Sequence, residues 1–305
     1  MENEIYQSST GAKINLYSLL PDKNLKAVIH ITHGLAEHAK RYSRFASDLV
    51  TAGYAVFAHD IRGHGYTKAK DAPQGVLGKS NGFDLVLEDQ NQIISLIKER
   101  HPDKLIIFFG HSLGSIINLN FALKYPNQVD ALACWNLGIE TGLLPRASRI
   151  ILALEALFRN PNNASLIASK LTFKAWNSKF KPNRTEFDWL SQDEKEVGLY
   201  VDDPLCGFDV SISMWRDILD GVFFAGNKNN LKNLSKELPI HIIGGTEDPC
   251  TNYGRDMEKL AIKLRNSGLT DVTYKILENT RHESLNEINR NQTTASFIGW
   301  LQERF

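Results

Sequence analysis

A mostly parallel β-sheet flanked by helices, an α/β architecture, is predicted by three features of this 305-residue chain. Short apolar runs alternate with helical patterns in its first and last thirds. One run, Leu105–Phe109, leads straight into Gly110-His111-Ser112-Leu113-Gly114 and then into a helical pattern. Between Thr141 and about Asn230 the alternation stops, and only irregular helical patterning remains.

In order, Glu4–Ser8 and Ile14–Leu19 read as a strand pair across the turn Ser9-Thr10-Gly11. Ala27–Ile31, Ala55–Ala58, Leu105–Phe109 and Val129–Cys134 are four more strands. Helical patterns at Tyr42–Thr51, Phe83–Arg100 and Ser115–Tyr125 lie between them. Connections of that length permit parallel pairing with helices on both faces. The alternation resumes with a strand at Ile240–Ile243, a helix at Tyr253–Ser267, a strand at Val272–Leu277 and a helix at Thr294–Phe305. The expected organisation is a core of residues 1–140 and 229–305, with a helical cap of residues 141–228 inserted after the sixth strand. Insertions past a strand end in such sheets sit near the binding crevice.

Composition narrows the function. Hydrophobic residues make up 42% of the chain, which supports a large core and argues against disorder. Acidic and basic residues balance at 35 each, so there is no global basic field and nucleic acid is not an expected partner. Cys134, Cys206 and Cys250 are widely spaced and odd in number, giving neither a disulfide framework nor a zinc pattern. The N-terminus lacks signal-peptide character, and no apolar run approaches a bilayer span. A cytoplasmic protein is expected.

Chemistry is nominated at Ser112. A strand that turns sharply into a helix holds the residue at the tip in a strained conformation, with glycines at 110 and 114 allowing close approach. The helix N-terminus then directs unpaired N–H groups at developing negative charge. A serine hydroxyl needs a base, and the base needs a carboxylate. Only His282 among nine histidines follows the last predicted strand, in the loop Glu278–Glu283. The acid is expected after Ile240–Ile243, where Asp248 is favoured over its neighbour Glu247. Two backbone donors complete the set: Leu113, following the nucleophile, and Leu35, in the loop Thr32–His38. No metal or cofactor is expected, because the chain has no H-E-x-x-H and no phosphate-loop pattern.

Several segments together resemble one family. His33-Gly34-Leu35-Ala36-Glu37-His38 with Arg41-Tyr42, Asp60-Ile61-Arg62-Gly63-His64-Gly65, the pentapeptide at 110–114, Gly245–Pro249 and His282–Glu287 are similar, in order, to motifs of monoacylglycerol lipases and bacterial lysophospholipases. Leu113 replaces a common Met, and Ser115 stands where Gly is common. The resemblance implies an α/β-hydrolase fold and a serine esterase cleaving lipid-like esters through an acyl-serine intermediate. It places the triad on Ser112, Asp248 and His282 and the oxyanion donors on Leu35 and Leu113. Alternatives are an acyltransferase using the same intermediate, a short-chain carboxylesterase, a peptidase, and a binding module that keeps the fold. The expected partner is a small lipid ester, with at most transient membrane-surface contact through the cap.

Other features carry weaker expectations. Asp60, Arg62, His64, Glu37 and His38 are expected to fix loop geometry, and His111 to make a structural hydrogen bond. The cap aromatics Phe173, Trp176, Phe180, Phe187, Trp189, Phe208, Trp215, Phe223 and Phe224 could line an acyl tunnel or simply form the cap's own core. Split charge in the cap reads as mutually compensating helix faces.

Overall fold

The computed structural model describes residues 1–305. One sheet contains all eight strands: β1 (Glu2–Gln7), β2 (Lys13–Leu19), β3 (Val28–Thr32), β4 (Ala55–His59), β5 (Ile106–His111), β6 (Ala131–Trp135), β7 (Ile240–Gly245) and β8 (Val272–Leu277). Their order is β1-β2-β4-β3-β5-β6-β7-β8. β1 pairs antiparallel with β2, and β2 with β4, while every later pairing is parallel. β3 to β7 are buried along their whole length. That two-sided burial is why they read as continuous apolar runs and not as alternating ones.

Helices α1 (Ser43–Thr51), α2 (Gly82–Arg100) and α3 (Leu113–Lys124) follow the early strands. The stretch between β6 and β7 holds α4 (Leu143–Phe158), α5 (Leu166–Ser169), α6 (Ala175–Asn177), α7 (Glu194–Val201), α8 (Ile212–Ala225) and α9 (Lys228–Leu231). After β7 come α10 (Arg255–Asn266) and α11 (Arg290–Gln302). One apolar layer joins the sheet to α2, α3, α8 and α10, and a second lies under α1 and α11. α8 therefore packs into the core layer, directly on α2 and α3.

Element boundaries move by a few residues from the sequence reading. β6 is displaced toward its carboxyl end because Asp130 is used to accept the Ile106 N–H at 2.8 Å. α3 begins at Leu113 because the turn at Ser112 is tight enough to start the helix at once. α10 begins late because Asp248 caps a separate turn, Pro249–Thr251, accepting from Cys250 N at 2.9 Å. The parallel strands bring the loops after β3, β5, β6, β7 and β8 to one edge of the sheet, which is where the candidate residues meet.

Candidate active site

Ser112 sits at φ +52° and ψ −116°, a strained conformation for a residue with a side chain. Both flanking glycines are required by contact. A Cβ on Gly110 would lie 2.6 Å from the Gly114 carbonyl, and a Cβ on Gly114 would lie 2.0 Å from the Thr32 carbonyl oxygen. The serine in the usual glycine position also has a use. Ser115 Oγ donates to the Gly110 carbonyl at 2.6 Å and accepts from Trp135 N at 2.9 Å, tying the first turn of α3 to β5 and β6.

His282 Nε2 lies 2.9 Å from Ser112 Oγ, and His282 Nδ1 lies 3.0 Å from Asp248 Oδ2. Asp248 is completely buried. Burial pushes its carboxyl upward, but the His282 ring and the hydrogen bonds from His282, Asn136 and Thr251 outweigh this and hold it below the ordinary carboxylate range. An ionised Asp248 can only accept, so Nδ1 carries the imidazole proton and Nε2 is free to accept from the serine hydroxyl. Glu247, the alternative acid, turns to Arg281 at 3.7 Å.

The loop after β3 is equally fixed. The Ile61 N–H donates to His33 Nε2 at 2.9 Å, so Nδ1 bears the proton and donates to the Gly34 carbonyl at 2.7 Å. Gly34 N donates to Glu37 Oε1 at 2.6 Å. Ala36 takes a left-handed φ of +56°, and its carbonyl accepts from Tyr200 Oη at 2.8 Å and Gly207 N at 2.9 Å. Leu35 and Leu113 both line the cavity above Ser112, and the N–H of neither donates to any group of the protein.

Behind this loop lies a buried charge cluster. Arg41 donates to Glu37 at 2.6 Å and to Glu283 at 2.7 and 2.8 Å, while Tyr42 Oη donates to Glu37 at 2.8 Å. Burial alone would raise Glu37, yet Arg41 and His111 hold it well below its usual value. His111 is opposed by burial but raised by Glu37, 3.4 Å from its Nδ1, and its Nε2 lies 3.0 Å from the His282 carbonyl. Arg41 and Glu283 thus connect the Leu35 loop to the His282 loop. Asp60 organises its surroundings, accepting from Ala39 N, Tyr66 N and Asn15 Nδ2. Arg62 pairs with Asp71 and Asp89. His64 Nδ1 contacts the Arg62 carbonyl.

A cavity of about 670 Å³ opens over Ser112. Six of the nine cap aromatics line it: Phe173, Trp176, Phe187, Trp189, Phe208 and Trp215. The other three do not. Phe180 lies under Arg281, Phe223 under Arg149, and Phe224 is exposed. Phe173, Trp176 and Phe187 also pack on Trp189, Leu190 and Tyr200, so lining the cavity and forming a small core of their own are combined. Leu143, Leu144 and Leu171 both line the cavity and stand exposed, which marks its mouth.

Two groups bring metal-ligating atoms within 4.8 Å of one another: His38 with Asp203 and Cys206, and Asp248 with Cys250 and His282. In each the histidine is already engaged with the carboxylate, at 2.9 and 3.0 Å. Cys250 borders the cavity, and burial followed by the nearby Asp248 holds its thiol well above the usual range. No helix is long and apolar enough to cross a membrane.

The sequence pattern does not single out Asn136 or Ser284, and it offers Trp189 only as one of nine cap aromatics. Asn136 Nδ2 donates to Asp248 Oδ2 at 3.2 Å, and Ser284 Oγ donates to Asn136 Oδ1 at 2.8 Å. The signals were present but faint: an Asn directly after a strand end, and a Ser two residues past the histidine.

Fold and site together define an α/β-hydrolase of the serine hydrolase class. Residues 23–289 match the family described as serine aminopeptidase, S33, and the chain belongs to that family. It is 26% identical to monoglyceride lipase of Mus musculus over 292 residues, covering 93% of this chain and 85% of the mouse protein. It is 32% identical over 122 residues to monoacylglycerol lipase of Mycolicibacterium smegmatis, covering 40% and 41% of the two chains. The fold superposes on a thermostable carboxyl esterase from Bacillus coagulans in complex with glycerol, with TM-score 0.87, 22% identity and coverage of 99% and 98%. It also superposes on a soluble variant of monoglyceride lipase from Saccharomyces cerevisiae, with TM-score 0.77, 20% identity and coverage of 99% and 95%.

Proposed function

We propose that this protein is a carboxylic ester hydrolase for lipid-like esters, with monoacylglycerols or lysophospholipids as its substrate class. The observation that carries this reading is the hydrogen-bonded series Ser112 Oγ, His282, Asp248 at the floor of an aromatic-lined cavity of about 670 Å³. The volume suits a ligand with one long acyl chain and a small head group.

His282 Nε2 takes the Ser112 proton as Oγ attacks the ester carbonyl carbon. The carbonyl oxygen becomes an oxyanion held by the N–H groups of Leu35 and Leu113. The tetrahedral intermediate collapses, and the C–O bond to the alcohol breaks. The imidazolium protonates the departing alkoxide, and the acyl group stays on Ser112. Water then gives a proton to His282 Nε2 as it attacks the acyl carbon, the bond from that carbon to Ser112 Oγ breaks, and the imidazolium returns the proton to Oγ as the fatty acid leaves. Asp248 keeps the imidazole in the required tautomer throughout.

Residues 141–228 act in this reading as a cap whose aromatics enclose the acyl chain. α4 supports delivery from a lipid phase, because Leu143 and Leu144 at the cavity mouth continue into exposed Ile150, Leu154, Leu157 and Phe158. A patch of that kind on a helix marks an interaction surface.

The test is a fluorophosphonate probe combined with a substrate panel. Wild type is expected to be labelled and Ser112→Ala not, with turnover reduced roughly 10⁴-fold or more. The panel contains monoacylglycerols, lysophospholipids, p-nitrophenyl esters of varied length and aminoacyl anilides. Preference for the anilides would overturn the esterase reading in favour of a peptidase. Transfer of the acyl group to added glycerol faster than to water would convert it to an acyltransferase.

A further inference from the structure

We propose that Trp189, contributed by the insertion between β6 and β7, is a positioning residue for His282; this rests on His282 being the base.

The indole lies against the imidazole with ring centroids 4.8 Å apart and planes inclined by 37°. The ring of His111 also packs against it, with centroids 5.0 Å apart. His282 therefore has two rings packed against it, and it is 3% exposed. Swinging its Nε2 away from Ser112 would require one of those rings to move. Trp189 is itself fixed. It stacks on Phe173 at 5.8 Å, contacts Trp176 at 4.9 Å, and its backbone N–H donates to Asn177 Oδ1 at 3.1 Å.

The chain on either side of Trp189 is bonded to the loop on either side of His282. Glu283 N donates to the Leu190 carbonyl at 2.7 Å. Arg281 Nη1 donates to the carbonyls of Asp188 at 2.6 Å and Ser191 at 3.0 Å. Ser191 Oγ donates to the Asn286 carbonyl at 2.8 Å, and Gln192 N to the Glu287 carboxylate at 3.2 Å. At this edge the insertion is hydrogen-bonded to the histidine loop at several points.

Two effects follow. The indole fixes the ring orientation that points Nε2 at Ser112. Its π face also favours the imidazolium that forms as Ser112 is deprotonated, at a ring that is almost fully buried. The titratable groups facing His282 are Asp248 and Cys250 from the loop after β7 and His111 from the end of β5. Glu37, Arg41 and Glu283 stand behind His111, and Asp188 is turned away to Thr185 and the Arg184 N–H. No ionised side chain of the 188–192 segment replaces the indole's contribution.

The experiment compares Trp189→Leu and Trp189→Met, which keep an apolar cover without a π face, with Trp189→Phe, which keeps one. Steady-state kinetics on a soluble ester, the pH profile of kcat/KM, the fluorophosphonate labelling rate and Tm are measured for each. The expected result for Leu and Met is kcat lowered about tenfold with KM within threefold, and the acidic limb of the profile displaced by about half a pH unit to lower pH. Trp189→Phe should restore most of the rate and the position of the limb. Leu or Met retaining kcat within twofold overturns the proposal, as does a loss confined to KM with the limb unmoved. Labelling of wild type but not of Ser112→Ala tests the triad separately, so failure of the triad and failure of the Trp189 role are read on different measurements.

Discussion

Asn136 Nδ2 donates to the same Asp248 oxygen, Oδ2, that accepts from His282, at 3.2 Å against 3.0 Å. Asn136 follows β6 at φ +52°, a left-handed conformation that Asn tolerates better than most residues. Its backbone N–H is fixed to the Ile243 carbonyl at 2.8 Å, and its Oδ1 by Ser284. The two loops that carry Asp248 and His282 are thereby referenced to a third. Asn136→Ala is expected to lower kcat about tenfold with little change in KM, since it removes a donor to a fully buried carboxylate. It should also lose about 1 kcal/mol of stability from the left-handed backbone. Steady-state kinetics and thermal melting separate the two effects.

The glycines give opposite expectations. Gly114→Ala forces a Cβ to within 2.0 Å of the Thr32 carbonyl oxygen, and the obstructing atoms are all backbone, which cannot swing aside. That variant is expected to be insoluble or to melt far below wild type. Gly198 lies within α7 with nothing within 4 Å of its would-be Cβ. Gly198→Ala should gain roughly 0.5–1 kcal/mol and a few degrees of Tm. A melting comparison of the two decides the matter, and a stable Gly114→Ala would contradict the elbow packing.

Acid should destabilise the fold earlier than carboxylate titration alone would. Burial lowers His30 to about 3, His33 to about 4, His64 to about 3 and His241 to about 3, and holds His59 well below its usual value. These rings are neutral when folded and take up protons near pH 6.5 when unfolded. Their folded values are depressed, so the stability they confer is present above pH 6.5 and is lost as pH falls toward 4. Each such proton contributes about 1.4 kcal/mol per pH unit to the slope. Urea midpoints are expected to fall steeply from pH 6.5 to 4.5, and a midpoint constant to pH 5 would refute this account.

Asp217 carries the opposite sign. Burial, then the neighbouring Asp220, pushes its carboxyl up to about 7. A raised folded value means that its contribution is complete below pH 4 and is lost as pH rises through 7. Asp217→Asn is neutral at all pH values. It should raise Tm at pH 8 and leave it unchanged at pH 4, as measured by paired melts in the two buffers.

The fold was legible because its signals are local. Two-sided burial made β3 to β7 continuous apolar runs, and the elbow glycines are dictated by close backbone contacts, Gly110 with the start of α3 and Gly114 with the end of β3. Ser112, Asp248 and His282 could be picked as candidates because topology assigns each to a strand-end loop. The supports around them were not legible, because they depend on long-range pairing. Arg41 meets Glu283 across 242 positions of sequence, and Asn136 meets Asp248 across 112. The insertion was hardest of all. Several of its helices are only one or two turns long, one turn at Lys170–Lys174 is π-helical, and its aromatics declare burial without declaring a partner. Nothing in the local pattern at Trp189 could announce a contact with His282.

The exposed face of α4 offers a way to separate chemistry from substrate delivery. Leu157 is 75% exposed and Phe158 86% exposed, so neither supports the fold. Arg146, Lys170 and Lys174 are also exposed on this part of the insertion, giving an apolar surface with basic companions. Sinking one large apolar side chain into a lipid interface is worth about 1.5–3 kcal/mol, and basic side chains near an anionic surface add to it. The double variant Leu157→Ser, Phe158→Ser should therefore bind phosphatidylglycerol-containing vesicles at least about tenfold more weakly in a sedimentation assay. Its turnover of micellar monoacylglycerol should fall in step. Its kcat/KM on monomeric p-nitrophenyl butyrate should stay within twofold of wild type, because both residues lie outside the cavity lining around Ser112. Equal losses on both substrates would mean that α4 shapes the catalytic cavity itself and is not a landing surface. Unchanged behaviour on both would mean that substrate reaches Ser112 from solution.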